Sequence, residues 1–153
     1  MNRPLLSRLG RALAPAATAA ILLAQPVAHA QDGERTPAPG EGVICAWAIY
    51  TVMNEVGPRC HPGEDAAIQA EVARAVEKID AYVLANLTPT PTREDLDAFK
   101  RKQGHVGAPA EQLCTGSAEE MYEALVAQGP APIRQSVDEL LERPGEPTWG
   151  TCL

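Results

Sequence analysis

The sequence predicts an all-α protein: a small disulfide-stabilised helical bundle of about five helices, with an N-terminal signal peptide and a C-terminal tail packed back on the domain. Three observations lead there. Apolar residues recur at helical spacing from Ile68 to Leu87, from Met121 to Val126 and from Ile133 to Leu141. All four cysteines, Cys45, Cys60, Cys114 and Cys152, follow a leader of export type, a usage that reads as two disulfides. Nothing reads as a partner for the one apolar segment that would suit a strand, and a strand does not stand alone.

Residues 1–30 have a basic start (Arg3, Arg8, Arg11), an apolar middle from Ala12 to Ala24, and Ala28-His29-Ala30 as a small-x-small cleavage site. The apolar run of about 13 residues contains Pro15, whereas a membrane-spanning helix needs ~20. The expectation is a signal peptide, an exported protein in a periplasmic or secreted location, and no membrane span. Residues 31–42, "QDGERTPAPGEG", hold nothing apolar larger than Ala and Pro and read as a flexible leader. The folded domain is expected over 43–153.

The full chain carries a net charge of −7 from 13 basic and 20 acidic residues. Residues 1–30 hold three Arg and no acid, so the remainder has 13 − 3 = 10 basic residues against 20 acidic ones, a net −10. Such a chain is repelled by phosphate backbones and anionic membranes, which argues against a nucleic-acid partner. A basic protein partner suits the charge; solubility is its ordinary role.

Val43 to Val56 is apolar throughout. Its length, Asn54-Glu55 and the following Gly57-Pro58 favour a helix closed by a glycine and stopped by a proline. Residues 64–87 form the clearest helix: Ile68, Val72, Ala75, Val76, Ile79, Tyr82, Val83 and Leu87 on one face, and Glu71, Arg74, Glu77 and Lys78 on the other. Glu64 and Asp65 are expected in its first turn. "TPTPT" enforces an extended turn. Thr92 and Asp95 then form a capping box for a short helix with Leu96 and Phe99 as its contact, and Lys100, Arg101 and Lys102 complement its C-terminal dipole. A Gly-rich connection with one turn at Ala110 to Leu113 leads to Ser117, whose Ser-x-x-Glu run to Glu120 reads as a second capping box. Gly129 ends that helix, and Pro132 lies in the first turn of the last, which carries Ile133, Val137, Leu140 and Leu141. The tail "RPGEPTWGTCL" is not helical, and Trp149 and Cys152 anchor it.

Along such a first helix, Cys45 and Gly57 stand ~18 Å apart, too far for a disulfide, whose Cα atoms lie within about 7 Å. Up-down alternation of neighbouring helices brings the loop at Cys114 to the end where Cys60 lies. It also leaves the last helix ending there, and Pro144 to Cys152 can span ~30 Å back to Cys45. The expected pairs are Cys60 with Cys114 and Cys45 with Cys152.

No G-x-S-x-G, H-E-x-x-H or C-x-x-C-H run is present, so no catalytic residue is named and an enzyme is the least favoured class. The cysteine spacings contain no C-x-x-C pair, so neither a zinc site nor another cofactor is expected. His61 and His105 read as solvated loop histidines. The favoured class is a non-enzymatic binding or inhibitory module of the bacterial envelope, with Trp47, Tyr50 and Trp149 as interaction-surface candidates. The alternative is an apolar-ligand carrier whose cavity is lined by the stripes Ile68 to Leu87 and Val137 to Leu141.

Overall fold

The computed structural model describes residues 36–102 and 106–150, and among them all regular structure is helical: α1 (Val43–Cys60), α2 (Ala66–Asn86), α3 (Arg93–Lys102), α4 (Ala110–Leu113), α5 (Ser117–Gln128) and α6 (Pro130–Leu141). The expected signal peptide and Cys152 lie outside the described residues, and with Cys152 goes the Cys45–Cys152 pair. No described helix is long and apolar enough to cross a membrane.

Four helices surround one core, in which α1 packs on α2 and α5, and α6 packs on α2 and α5. Trp47, Met53, Val56, Val72, Ile79, Val83, Leu113, Tyr122, Ile133 and Val137 are its most deeply buried side chains. Helix α2 runs antiparallel to α1. Trp47 near the start of α1 meets Asp80 near the end of α2, and Gln69 near the start of α2 meets His61 just beyond α1. Helix α3 buries only Leu96 completely and lays Phe99 flat on Trp47, with ring centroids 4.8 Å apart. Its capping box is formed: the Thr92 amide donates to Asp95 Oδ2 at 2.8 Å, and the Asp95 amide to Thr92 Oγ1 at 3.2 Å.

Four features differ from the sequence expectation. Helix α1 runs through Gly57 and Pro58 to Cys60, and the His61 amide bonds the Gly57 carbonyl at 2.9 Å. Proline disfavours a helical residue before it by crowding that residue's N–H and Cβ, and Gly57 lacks the second. Glu64 and Asp65 precede α2 and lie outside its first turn. Ser117 is the first helical residue of α5, because Gly116 takes the N-cap position and leaves Ser117 no capping bond to make.

The fourth concerns direction. Alternation would set α6 antiparallel to α2, but the two run the same way: Arg134 meets Glu71, Asp138 meets Lys78, and the Arg143 carbonyl accepts from the Tyr82 hydroxyl. The cause is the connection between α5 and α6, a single residue. Gly129, at φ 82° and ψ 171°, makes a corner where a hairpin was expected. Helix α5 therefore crosses α1, and α6 itself descends to the end of the molecule where α1 begins.

There the tail meets the described part of the leader. Thr148 donates its amide to the Gly40 carbonyl at 2.9 Å, the Ile44 amide donates to the Thr148 carbonyl at 3.1 Å, and Arg143 Nη2 donates to the Pro37 carbonyl at 2.6 Å. Gly42, at the N-cap of α1, offers no side-chain cap, so the tail satisfies one of the amides that a helix start leaves open.

Candidate functional site

The end of the molecule where α1 finishes is built around His61. The chain leaves α1 at Cys60, turns at Gly63 (φ 82°) and enters α2 after Asp65. Two hydrogen bonds from Gln69 Nε2, to the carbonyls of His61 (2.9 Å) and Glu64 (2.8 Å), hold that turn in shape. Cys60 is bonded to Cys114, with Cα atoms 5.4 Å apart, which fixes the start of α5 against the turn. None of the described cysteines is free.

The imidazole of His61 stacks on the ring of Tyr122 with centroids 4.9 Å apart. Its Nε2 lies 2.6 Å from Glu119 Oε1 on α5, and its Nδ1 faces Glu64 Oε2 at 3.7 Å. His61, Glu64 and Asp65 each place a ligating atom within 4.8 Å of the others. Burial raises the Tyr122 pKa, and the charges of Asp65, Glu119 and Glu64 push it the same way. Among the described residues, none of these three carboxylates is paired with a lysine or arginine.

Between α1 and α5 lies an open recess of about 210 Å³ lined by Ala48, Ile49, Val52, Met53, Ser117, Ala118 and Met121. Its rim residue Met121 is 40% exposed. Helix α5 carries Glu119, Glu120 and Glu123 and no basic residue. On the adjoining face of α1 the one cation, Arg59, pairs with Glu55 at 3.3 Å and donates to the Ala108 carbonyl.

Of the three aromatic residues named as surface candidates, two are core. Trp47 is 2% and Tyr50 3% exposed, since the apolar face of α1 is covered by α2, α3 and α5. Trp47 donates from Nε1 to Asp80 at 2.7 Å, and burial followed by the nearby Glu71 charge raises the Tyr50 pKa. Trp149 is 52% exposed. His61 is a partnered, stacked residue and not the solvated one expected, while His105 lies outside the described residues. Lys100 of the basic run is occupied by Asp80, at 2.6 Å. The stripes of α2 and α6, expected to line a ligand cavity, contribute Ile68, Val72, Val76, Ile79, Val83 and Val137 to the packed core.

Sequence reading missed Glu119, Tyr122 and the recess. Glu119 is 58 positions from His61 and Met121 lies across a helix crossing, so no local spacing announces either. The only available signal was the His-x-x-Glu-Asp run at 61–65. Comparison with protein-family models, with curated proteins and with solved structures finds no match to this chain.

Proposed function

We propose that this chain is an exported, non-enzymatic binding or inhibitory module that receives a basic protein partner. The observation that carries the reading is the apolar recess between α1 and α5, rimmed by the exposed Met121 and set in a helix with three acids and no base. Recognition surfaces join a water-excluding apolar centre to a polar rim. Acidic rims raise the encounter rate of basic partners through long-range attraction. Methionine is adaptable enough to fit an apolar side chain offered from outside.

Export is part of the proposal. The tripartite pattern of residues 1–30 supports it, as does the Cys60–Cys114 disulfide, which persists in an oxidising compartment. The envelope would then be the place to find the partner.

The test immobilises the oxidised protein and passes an envelope extract over it at low salt, beside Met121→Asp and Glu120→Lys/Glu123→Lys variants. The expected result is a basic protein retained by the parent, released as salt rises, and retained at least about tenfold less by both variants, a change of ~1.4 kcal/mol. If the parent retains nothing at low salt, or the variants retain the same protein equally, the reading is wrong.

A further inference from the structure

We propose that the occupant of the recess between α1 and α5 is one amphipathic helix of the basic partner, seated by two apolar side chains one turn apart and flanked by Lys or Arg. This rests on the partner-binding reading and adds to it the form of the element that binds.

The backbone requirement selects a helix. Ala48, Ile49, Val52 and Met53 form the α1 wall, and Ala118 and Met121 face them from α5. Residues 48–53 lie inside α1, so their N–H and C=O groups are used within that helix. The first turn of α5 leaves amides open, but amides only donate. Ser117 carries the one side-chain oxygen among the lining residues. An extended segment laid here would therefore lose water from backbone N–H groups that find almost no acceptor, each at a cost comparable to a lost hydrogen bond. Among the described residues no sheet edge is available to pair with such a segment instead. A helix satisfies its own backbone and presents only side chains.

Length and volume set the number of anchors. Ala48 and Met53 are five positions apart, ~7.5 Å along a helix. Side chains at i and i+4 of a facing helix stand ~6 Å apart, so this wall has room for two and not for three. The recess holds about 210 Å³, on the scale of the ~150 Å³ apolar cavity that takes up benzene and below the ~300 to 1,000 Å³ of small-molecule sites. Ala48, Ser117 and Ala118 are small, which lets a partner helix approach closely.

Charge names the flanks. Glu120 is exposed, three positions after Ser117 and one before Met121, so it stands at the edge of the seat. Glu55 lies two positions beyond Met53. The chain as a whole carries −7. Lys or Arg beside the anchors meets these acids and is drawn in by the net charge. The same charge argues against a second copy of this chain as occupant. Met121, the exposed apolar side chain of this face, would bring Glu120 with it and set like charge on like charge.

The test offers the oxidised protein three synthetic peptides of equal length: Leu and Lys at helical spacing, the same Leu and Lys in strict alternation, and Leu and Glu at helical spacing. Calorimetry gives the affinity, and ¹⁵N amide shifts give the place. The expected result is one equivalent of the first peptide bound with a gain of helical circular dichroism, its shifts gathered at Ala48, Val52, Ala118 and Met121, and at least about tenfold weaker binding of the other two. Met121→Asp separates the apolar seat from charge alone. It adds an acid, so simple attraction would tighten binding, whereas a damaged seat should weaken it at least about tenfold. Ser117→Lys, at an exposed position that makes no capping bond, should also weaken binding by repelling the flanking cations. Equal binding of the helical and alternating Leu/Lys peptides overturns this inference and leaves the basic-partner reading standing; that reading fails separately if the extract yields nothing at low salt. No binding of the first peptide, shifts away from the recess, tighter binding by Met121→Asp, or a parent dimer that Met121→Asp separates would each overturn it as well.

Discussion

Asp80 shows what a single buried carboxylate does for a helix with little apolar surface of its own. It is 4% exposed and accepts from Trp47 Nε1 at 2.7 Å, Lys100 Nζ at 2.6 Å and Arg93 Nη1 at 3.1 Å. Two of those donors belong to α3, so the carboxylate joins α1, α2 and α3 at one point. Asp80→Ala would leave the Trp47 indole and the Lys100 ammonium unpaired. Stranding a buried charge costs ~3 to 5 kcal/mol, and urea unfolding should show a loss of that order; a change under ~1 kcal/mol would mean that Phe99 stacking alone docks α3. Glu71 works in the same way between α2 and α6, and it titrates. Burial pushes its pKa up, but hydrogen bonds and charge attraction from Arg134 and Arg74 outweigh this and hold it below the ordinary value of 4.5. A depressed folded pKa means stability that is fully present above the unfolded value and lost as pH falls through the folded one. Stability should therefore drop below about pH 4.5, the ordinary glutamate value, and Glu71→Gln should flatten that part of the pH profile while lowering stability at pH 7. A profile unchanged by the substitution would remove Glu71 from the account. Periodicity sets Glu71 on the face of α2 opposite the apolar stripe, yet it is buried, 3% exposed. What periodicity does not contain is that α6 would cover that face and bring Arg134.

Helix identity was legible from the apolar stripes of α2, α5 and α6 and from the length of α1, and helix ends were legible wherever the end is made by local bonds, as at Thr92 and Asp95. Ends and directions set by distant packing were not. Gly57 is the clearest case. As a sequence sign followed by Pro58 it means a helix stop; in the fold it means a close approach. A Cβ added there would meet Gln69 Cγ at 2.9 Å, Tyr122 Oη at 3.0 Å and Tyr122 Cε2 at 3.1 Å. Glycine permits α1, α2 and α5 to meet at this level, beside the His61 cluster. Helix propensity and sterics compete in Gly57→Ala, the steric side including the new Cβ against Pro58. Helix propensity favours alanine by ~1 kcal/mol, whereas overpacking costs ~1 to 3 kcal/mol. Gln69 is a flexible side chain and could give way, but the Tyr122 ring is buried and stacked on His61. The clash should win, and thermal unfolding should show the alanine variant less stable than the parent. Greater stability would show that Tyr122 can shift and that Gly57 is not a packing constraint.

At the scale of the whole molecule each end ties together segments that lie far apart in the sequence. At the end that carries His61, Cys60 is bonded to Cys114 across 54 positions; at the other, backbone hydrogen bonds join the leader to the tail. Nothing in "TPAPGEG" resembles a structural element, and its role is visible only once α6 has delivered the tail beside it. Gly40 and Gly145 then let the two segments touch, since a side chain on either would run into the backbone opposite. This arrangement makes the leader part of the N-terminal cap of α1, because Gly40 accepts from Thr148 and Thr148 accepts in turn from Ile44. Deleting residues 36–41 should therefore take the Gly40 acceptor away from the tail without touching the Cys60–Cys114 end. Hydrogen exchange would read this directly: the Thr148 amide loses its acceptor outright and should exchange at least about tenfold faster, and the Ile44 amide should follow as its acceptor strand is freed. Amides in the middle of α2, such as Ile79 and Val83, should change little. Equal acceleration throughout would mean that leader and core unfold as one unit, and unchanged protection at Thr148 would mean that the leader takes no part in the cap.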